Sequence, residues 1–199
     1  MNQETHATMN LLLTISRAID WLNERIGRLV LWLILVMVLV SSGNAISRYL
    51  LNISSNAFLE LQWYLFATVF LLCSGYTFLH NEHIRIDVVS SRLSTRTRMW
   101  IDIFGTIFFL LPVSLFIMWL SWPIFMNAWV SGESSSNAGG LIRWPARLLV
   151  PLGFFLLSLQ GVSELIKRIA FLRGLIPDPV EKPVEPALVM VRTDEGAAQ

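Results

Sequence analysis

His80, Glu82, His83, Arg85 and Asp87 gather imidazole and carboxylate groups into one short stretch of the chain. Both groups are good ligands for transition metals, so a metal site is the first chemistry to weigh. The spacing matches no established ligand pattern, and the guanidinium among them repels a cation. The stretch therefore reads as a polar turn or a partner contact, with no metal and no cofactor expected. Arg48 and Glu60 form a second candidate, because ionisable residues inside apolar runs serve as proton or ion relays. Each stands near the end of its run, where charge costs less than at the middle of a bilayer, so an architectural ion pair between them is the expectation. Asp102 and Glu164 also border apolar runs and require no special role. The single Cys73 lies within an apolar run and reads as a small buried hydrophobe. The chain carries no phosphate-binding loop, nucleophile elbow or HExxH zinc motif.

The elements around these residues are apolar runs of membrane-spanning length. With 54% hydrophobic and only 15% charged residues, and a mean hydropathy of +0.59, the chain is too apolar for an ordinary soluble domain. A net charge of +1 leaves no basic face for nucleic acid. Spans are expected at about 29–50, 58–79, 101–126 and 144–166, since roughly 20 apolar residues cross a hydrocarbon core of about 30 Å. Before them, Leu12, Ile15, Ile19, Leu22, Ile26 and Leu29 recur at three- and four-residue spacing, which predicts an amphipathic helix with Trp21 as an interfacial anchor. This helix either lies at the headgroups, packs on a partner or extends the first span. The small residues at 41–45 follow too long an apolar run for a cleaved signal peptide. Pro112 is expected to bend the third span.

Twelve of the fifteen Lys and Arg residues lie in the N-terminal segment, the loop from His80 to Trp100, and the exit of the fourth span (Lys167, Arg168) with the C-terminal tail. The other three, Arg48, Arg143 and Arg147, lie near span ends on the opposite side. Basic residues near a span resist translocation, so this bias predicts both termini and the 80–100 loop in the cytoplasm. The expected architecture is an all-α integral membrane protein of four transmembrane helices arranged as two hairpins. It divides into an N-terminal segment (1–28), a four-helix membrane domain (29–172) and a Pro-rich cytoplasmic tail (173–199). No formal charge falls near the middle of any span. A self-sufficient carrier usually places polar groups and broken helices there, so an accessory or scaffold subunit is favoured. A small homo-oligomeric carrier or channel, and a membrane enzyme using the 80–87 face, are the competing classes.

Three motifs sharpen this reading. Glu60-Leu-Gln-Trp-Tyr opens the second span, His83-Ile-Arg85-Ile-Asp87-Val sits in the basic loop, and Trp129-Val-Ser-Gly-Glu133-Ser-Ser precedes the fourth span. In this order and topology, from about Ile26 to Leu172, the chain resembles the small membrane (DctQ-like) subunit of tripartite ATP-independent periplasmic (TRAP) transporters. The resemblance implies a non-catalytic subunit of an ion-gradient-driven transporter in the bacterial inner membrane. Its implied partners are a large membrane permease subunit, a periplasmic solute-binding protein and the surrounding lipids. The large subunit would hold the substrate and sodium sites and move as an elevator, taking up a small organic acid or related solute. Glu60, His83, Arg85, Asp87 and Glu133 match the family pattern and, with Arg48, are expected to be structural or interface residues.

Overall fold

The computed structural model describes residues 3–52, 55–80 and 94–177, and over these the chain is helical apart from its connections. Among the described residues, four helices are long and apolar enough to cross a membrane. They are α1 (Gln3–Leu51), α2 (Asn56–Leu79), α3 (Thr95–Ser131) and α4 (Trp144–Leu172). Their ends are set by local chemistry. Ser55 and Ser94 cap α2 and α3, their hydroxyls accepting from the amides of Ala57 and Thr97. Pro145 occupies the first turn of α4, where a missing N–H costs nothing. Asn52, Gly132 and Gly174 follow the ends of α1, α3 and α4 at φ of 55°, 61° and 72°, the left-handed turn that closes a helix.

The amphipathic segment runs into the first span without a break. At 1.5 Å per residue the 49 residues of α1 reach about 74 Å, against a hydrocarbon core of about 30 Å. Part of the length beyond the core packs against α4 and the end of α2. Along α1, Met9, Ser16, Asn23 and Val30 are buried at seven-residue intervals, whereas Leu11, Ile15, Trp21 and Leu29 are exposed. The inward face thus mixes Ser16 and Asn23 with Met9 and Val30, while of the apolar stripe Ile15 and Leu29 are exposed and Leu12, Ile19, Leu22 and Ile26 are half-buried. Polar groups on two helices gain by meeting one another at the contact.

α4 is the common neighbour, with α1, α2 and α3 all packed on it, and α1 also packs on α2. Close approach depends on glycine. A Cβ on Gly153 of α4 would lie 2.8 Å from both the carbonyl oxygen and the Cβ of Leu71 in α2. Gly75 of α2 receives the side-chain oxygen of Asn23 from α1 and abuts the backbone of Leu156. In α3, a π-helical turn at Thr106–Leu110 stands immediately before Pro112. Proline removes one amide from the ladder, and the wider turn closes through the amide of Leu111 to the carbonyl of Thr106.

Candidate functional site

At one end of the bundle, the 132–143 connection folds over the start of α2. Glu60 is its organising residue. The Ser135 hydroxyl and the Asn137 side-chain amide (2.8 Å) donate to one carboxylate oxygen, and the Leu141 amide donates to the other at 2.7 Å. Asn56 and Tyr64, one turn to either side, donate to the carbonyls of Ala138 (3.1 Å) and Ile142 (3.2 Å). The loop gains further shape from a bridge between Ser134 and Ile142. Gly139 adopts φ of 72°, and a Cβ on Gly140 would come within 3.0 Å of the Glu60 carboxylate. The two glycines therefore let the loop turn back over the carboxylate.

The expected Arg48–Glu60 pair is not formed. The oxygens of Glu60 are occupied by the loop, and Arg48 is exposed near the end of α1. Neutral donors from the chain segment directly above Glu60 satisfy it without ordering a long arginine side chain. Glu133, just past the end of α3, is its counterpart, paired with Arg143 at 2.9 Å and with Arg147 at 2.8 Å at the start of α4. Trp129 and Trp144 meet edge to face, with ring centroids 4.5 Å apart, and close the neck of the loop. Glu60 and Glu133 thus both serve the same cap. His83, Arg85 and Asp87 lie outside the described residues.

Glu60→Leu is expected to release the cap while leaving the helices in place. Hydrogen exchange at the Leu141 amide should rise on the order of tenfold, the factor that loss of a charge-assisted hydrogen bond carries. Unchanged protection would mean that the loop holds its form without Glu60.

The opposite end holds a larger polar network that sequence reasoning passed over. Asp20 of α1 accepts from Gln160 (2.9 Å) and Ser163 (2.6 Å) and pairs with Lys167 (3.2 Å), all on α4. Ser16 meets Ser163 at 2.7 Å, and Asn23 donates to Gln160 at 2.9 Å. Glu164 and Arg168, only 2% and 1% exposed, pair at 2.7 Å. Lys167 also reaches Glu164, and Arg168 reaches Asp102 of α3 at 3.3 Å. A second cluster joins α1 to the end of α2, where His80 and Arg28 both lie 2.7 Å from the carboxylate of Glu24. His80, read at first with the loop, therefore belongs to a helix–helix contact.

The sequence signal for this network was the seven-residue recurrence of Ser16 and Asn23 inside α1, together with Gln160, Ser163 and Lys167 along one side of α4. Chemically the arrangement fastens: every carboxylate named here meets donors from the same chain. The grooves between the helices are apolar by comparison. One of about 600 Å³ between α3 and α4 is lined by Trp119, Trp122, Pro123, Pro151, Leu152 and Phe155 among others.

Comparison with known proteins adds one finding. Residues 37–171 match the model of a protein family described as tripartite ATP-independent periplasmic transporters, DctQ component. No curated protein and no solved structure matches the chain.

Proposed function

The chain belongs to the DctQ family of tripartite ATP-independent periplasmic transporter components, and from that premise we propose how this small membrane subunit works. It is a non-catalytic scaffold that widens and steadies the part of the transporter fixed in the bilayer. A large elevator-type subunit beside it moves the solute, a small organic acid or related compound delivered by a periplasmic binding protein, at the expense of an ion gradient. The chain lies in the bacterial inner membrane with both termini in the cytoplasm, the orientation that its lysine and arginine distribution favours. In that orientation the Glu60-centred cap faces the periplasm, and the Asp20–Lys167 network faces the cytoplasm.

The observation that carries this reading is where the charges are spent. Glu60 and Glu133 hold one end together, and Asp20, Glu164, Lys167 and Arg168 hold the other. Between the ends, the stretches 29–47, 61–79, 103–132 and 148–163 carry no Asp, Glu, Lys or Arg. A subunit that carries an anion or a coupling ion by itself usually places ionisable side chains or discontinuous helices at mid-depth.

Reconstitution tests the proposal. Liposomes containing this chain alone should take up no solute, and uptake should return when the large subunit and the binding protein are added. Uptake by the chain alone would overturn the proposal in favour of a self-sufficient carrier. Full uptake by the large subunit and binding protein without this chain would overturn the scaffold role.

A further inference from the structure

The outer faces of the helices differ in one respect that apolarity alone conceals. Between residues 103 and 126, α3 has three hydroxyl residues, Thr106, Ser114 and Ser121, and all three are buried. Its exposed face is Ile107, Phe108, Phe116, Trp119 and Leu120, a surface suited to acyl chains. The outer face of α1 is otherwise. Ser41, Asn44 and Arg48 recur at three- and four-residue spacing and so share one side of the helix, with Ser41 and Arg48 exposed. Ser41 also borders a groove of about 570 Å³ between α1 and α2, lined by Met37, Val38, Gln62, Trp63 and Phe66.

Among the described residues these polar groups are left without partners. Thr68, Thr77, Ser121 and Ser158 each donate back to a carbonyl of their own helix. Among the described residues, Ser41, Asn44 and Gln62 make no hydrogen bond and Arg48 no ion pair. Ser41 lies ten residues, about 15 Å, before the end of α1, which places it near the middle of a core of about 30 Å. Hydrocarbon supplies no hydrogen-bond partner at that depth. The run Ser41–Ala45 is also small throughout, and a Cβ on Gly43 would meet nothing. A helix of another chain could approach closely there.

We infer that the α1–α2 groove seats a transmembrane helix of the large subunit, which brings hydrogen-bonding side chains to Ser41, Asn44 and Gln62 and a carboxylate to Arg48. This rests on the scaffold reading above and deepens it by naming the face. Charge decides against a second copy of this chain. A two-fold pairing of the same patch, with its axis along the membrane normal, would set Arg48 against Arg48 at equal depth.

Photocrosslinking in membranes that contain the whole transporter tests the assignment. A photoreactive residue is placed at Ser41, at Gln62 and, as the lipid-facing control, at Trp119. Adducts with the large subunit from Ser41 and Gln62, and none from Trp119, are expected. Adducts with the large subunit from Trp119 alone would overturn the assignment of the face while leaving the scaffold role intact. A self-adduct from Ser41 would overturn it in favour of a second copy. Failure of the large subunit to co-purify or crosslink from any position would overturn the scaffold reading itself. In support, Gln62→Leu should lower recovery of the large subunit with this chain by roughly tenfold, the effect of leaving a buried polar partner unsatisfied, whereas Trp119→Leu should leave recovery unchanged.

Discussion

Arg168→Leu is expected to destabilise the bundle by about 3–5 kcal/mol, seen as a large fall in the thermal unfolding midpoint of the purified chain in detergent. The guanidinium is 1% exposed and is shared by Glu164 on its own helix and Asp102 on α3. Leucine fills similar space but leaves the 2%-exposed Glu164 carboxylate deprived of its closely packed guanidinium. The cost is chiefly that of a buried charge with inadequate compensation, rather than the worth of the pair itself. Removing both charges provides the internal check. Glu164→Leu with Arg168→Leu should recover most of the loss, since no buried carboxylate with Lys167 as its remaining partner is left on α4 and Lys167 keeps Asp20. A double variant no more stable than Arg168→Leu would show instead that the link to Asp102, and so the docking of α3, is what matters.

Gly153→Ala is expected to cost about 1–3 kcal/mol by forcing α2 and α4 apart. The added methyl would lie 2.8 Å from the Leu71 carbonyl oxygen, a backbone atom that cannot rotate away. Gly43→Ala is the matched control within the same fold. Its Cβ meets nothing, and alanine is favoured over glycine in a helix by about 1 kcal/mol, so the isolated chain should be unchanged or slightly stabilised. Thermal unfolding of the two variants side by side separates helix propensity from packing. Equal behaviour would mean that the α2–α4 approach is not as close as Gly153 indicates.

These two sites mark how far the sequence could be read. The length and apolarity of the runs gave four membrane-spanning helices, because a span must satisfy its own backbone and clothe it in apolar side chains. Glu60 and Glu133 stand out in the sequence as structural or interface residues, and in the structure each meets a donor from the 132–143 connection. Their partners were not legible. Arg48 was nearest to Glu60 in sequence, whereas Ser135, Asn137 and Leu141 reach it from more than seventy residues away. Opposite charge suggests a pairing, but only the path of the loop shows that neutral donors arrive first. The inward side of α1 was not legible for a related reason. Leucine and isoleucine at helical spacing mark an apolar stripe but not its neighbour: Leu12, Ile19, Leu22 and Ile26 are half-buried, while Ser16 and Asn23 turn fully inward.

By itself, then, the sequence determined what the solvent dictates: the number of spans, the uncharged stretches within them, the basic bias of one side and the motifs that mark the family. Those properties belong to single residues or local runs, so order along the chain suffices. The tertiary structure decided what depends on which helices meet. α4 became the common neighbour because Gly153 admits α2, Ser163 and Lys167 take Asp20 of α1, and Arg168 takes Asp102 of α3. It also separated spent polar groups from unspent ones, leaving Ser41, Gln62 and Arg48 on an outer face without partners among the described residues. That distinction is one of distance between remote segments, and no local pattern carries it.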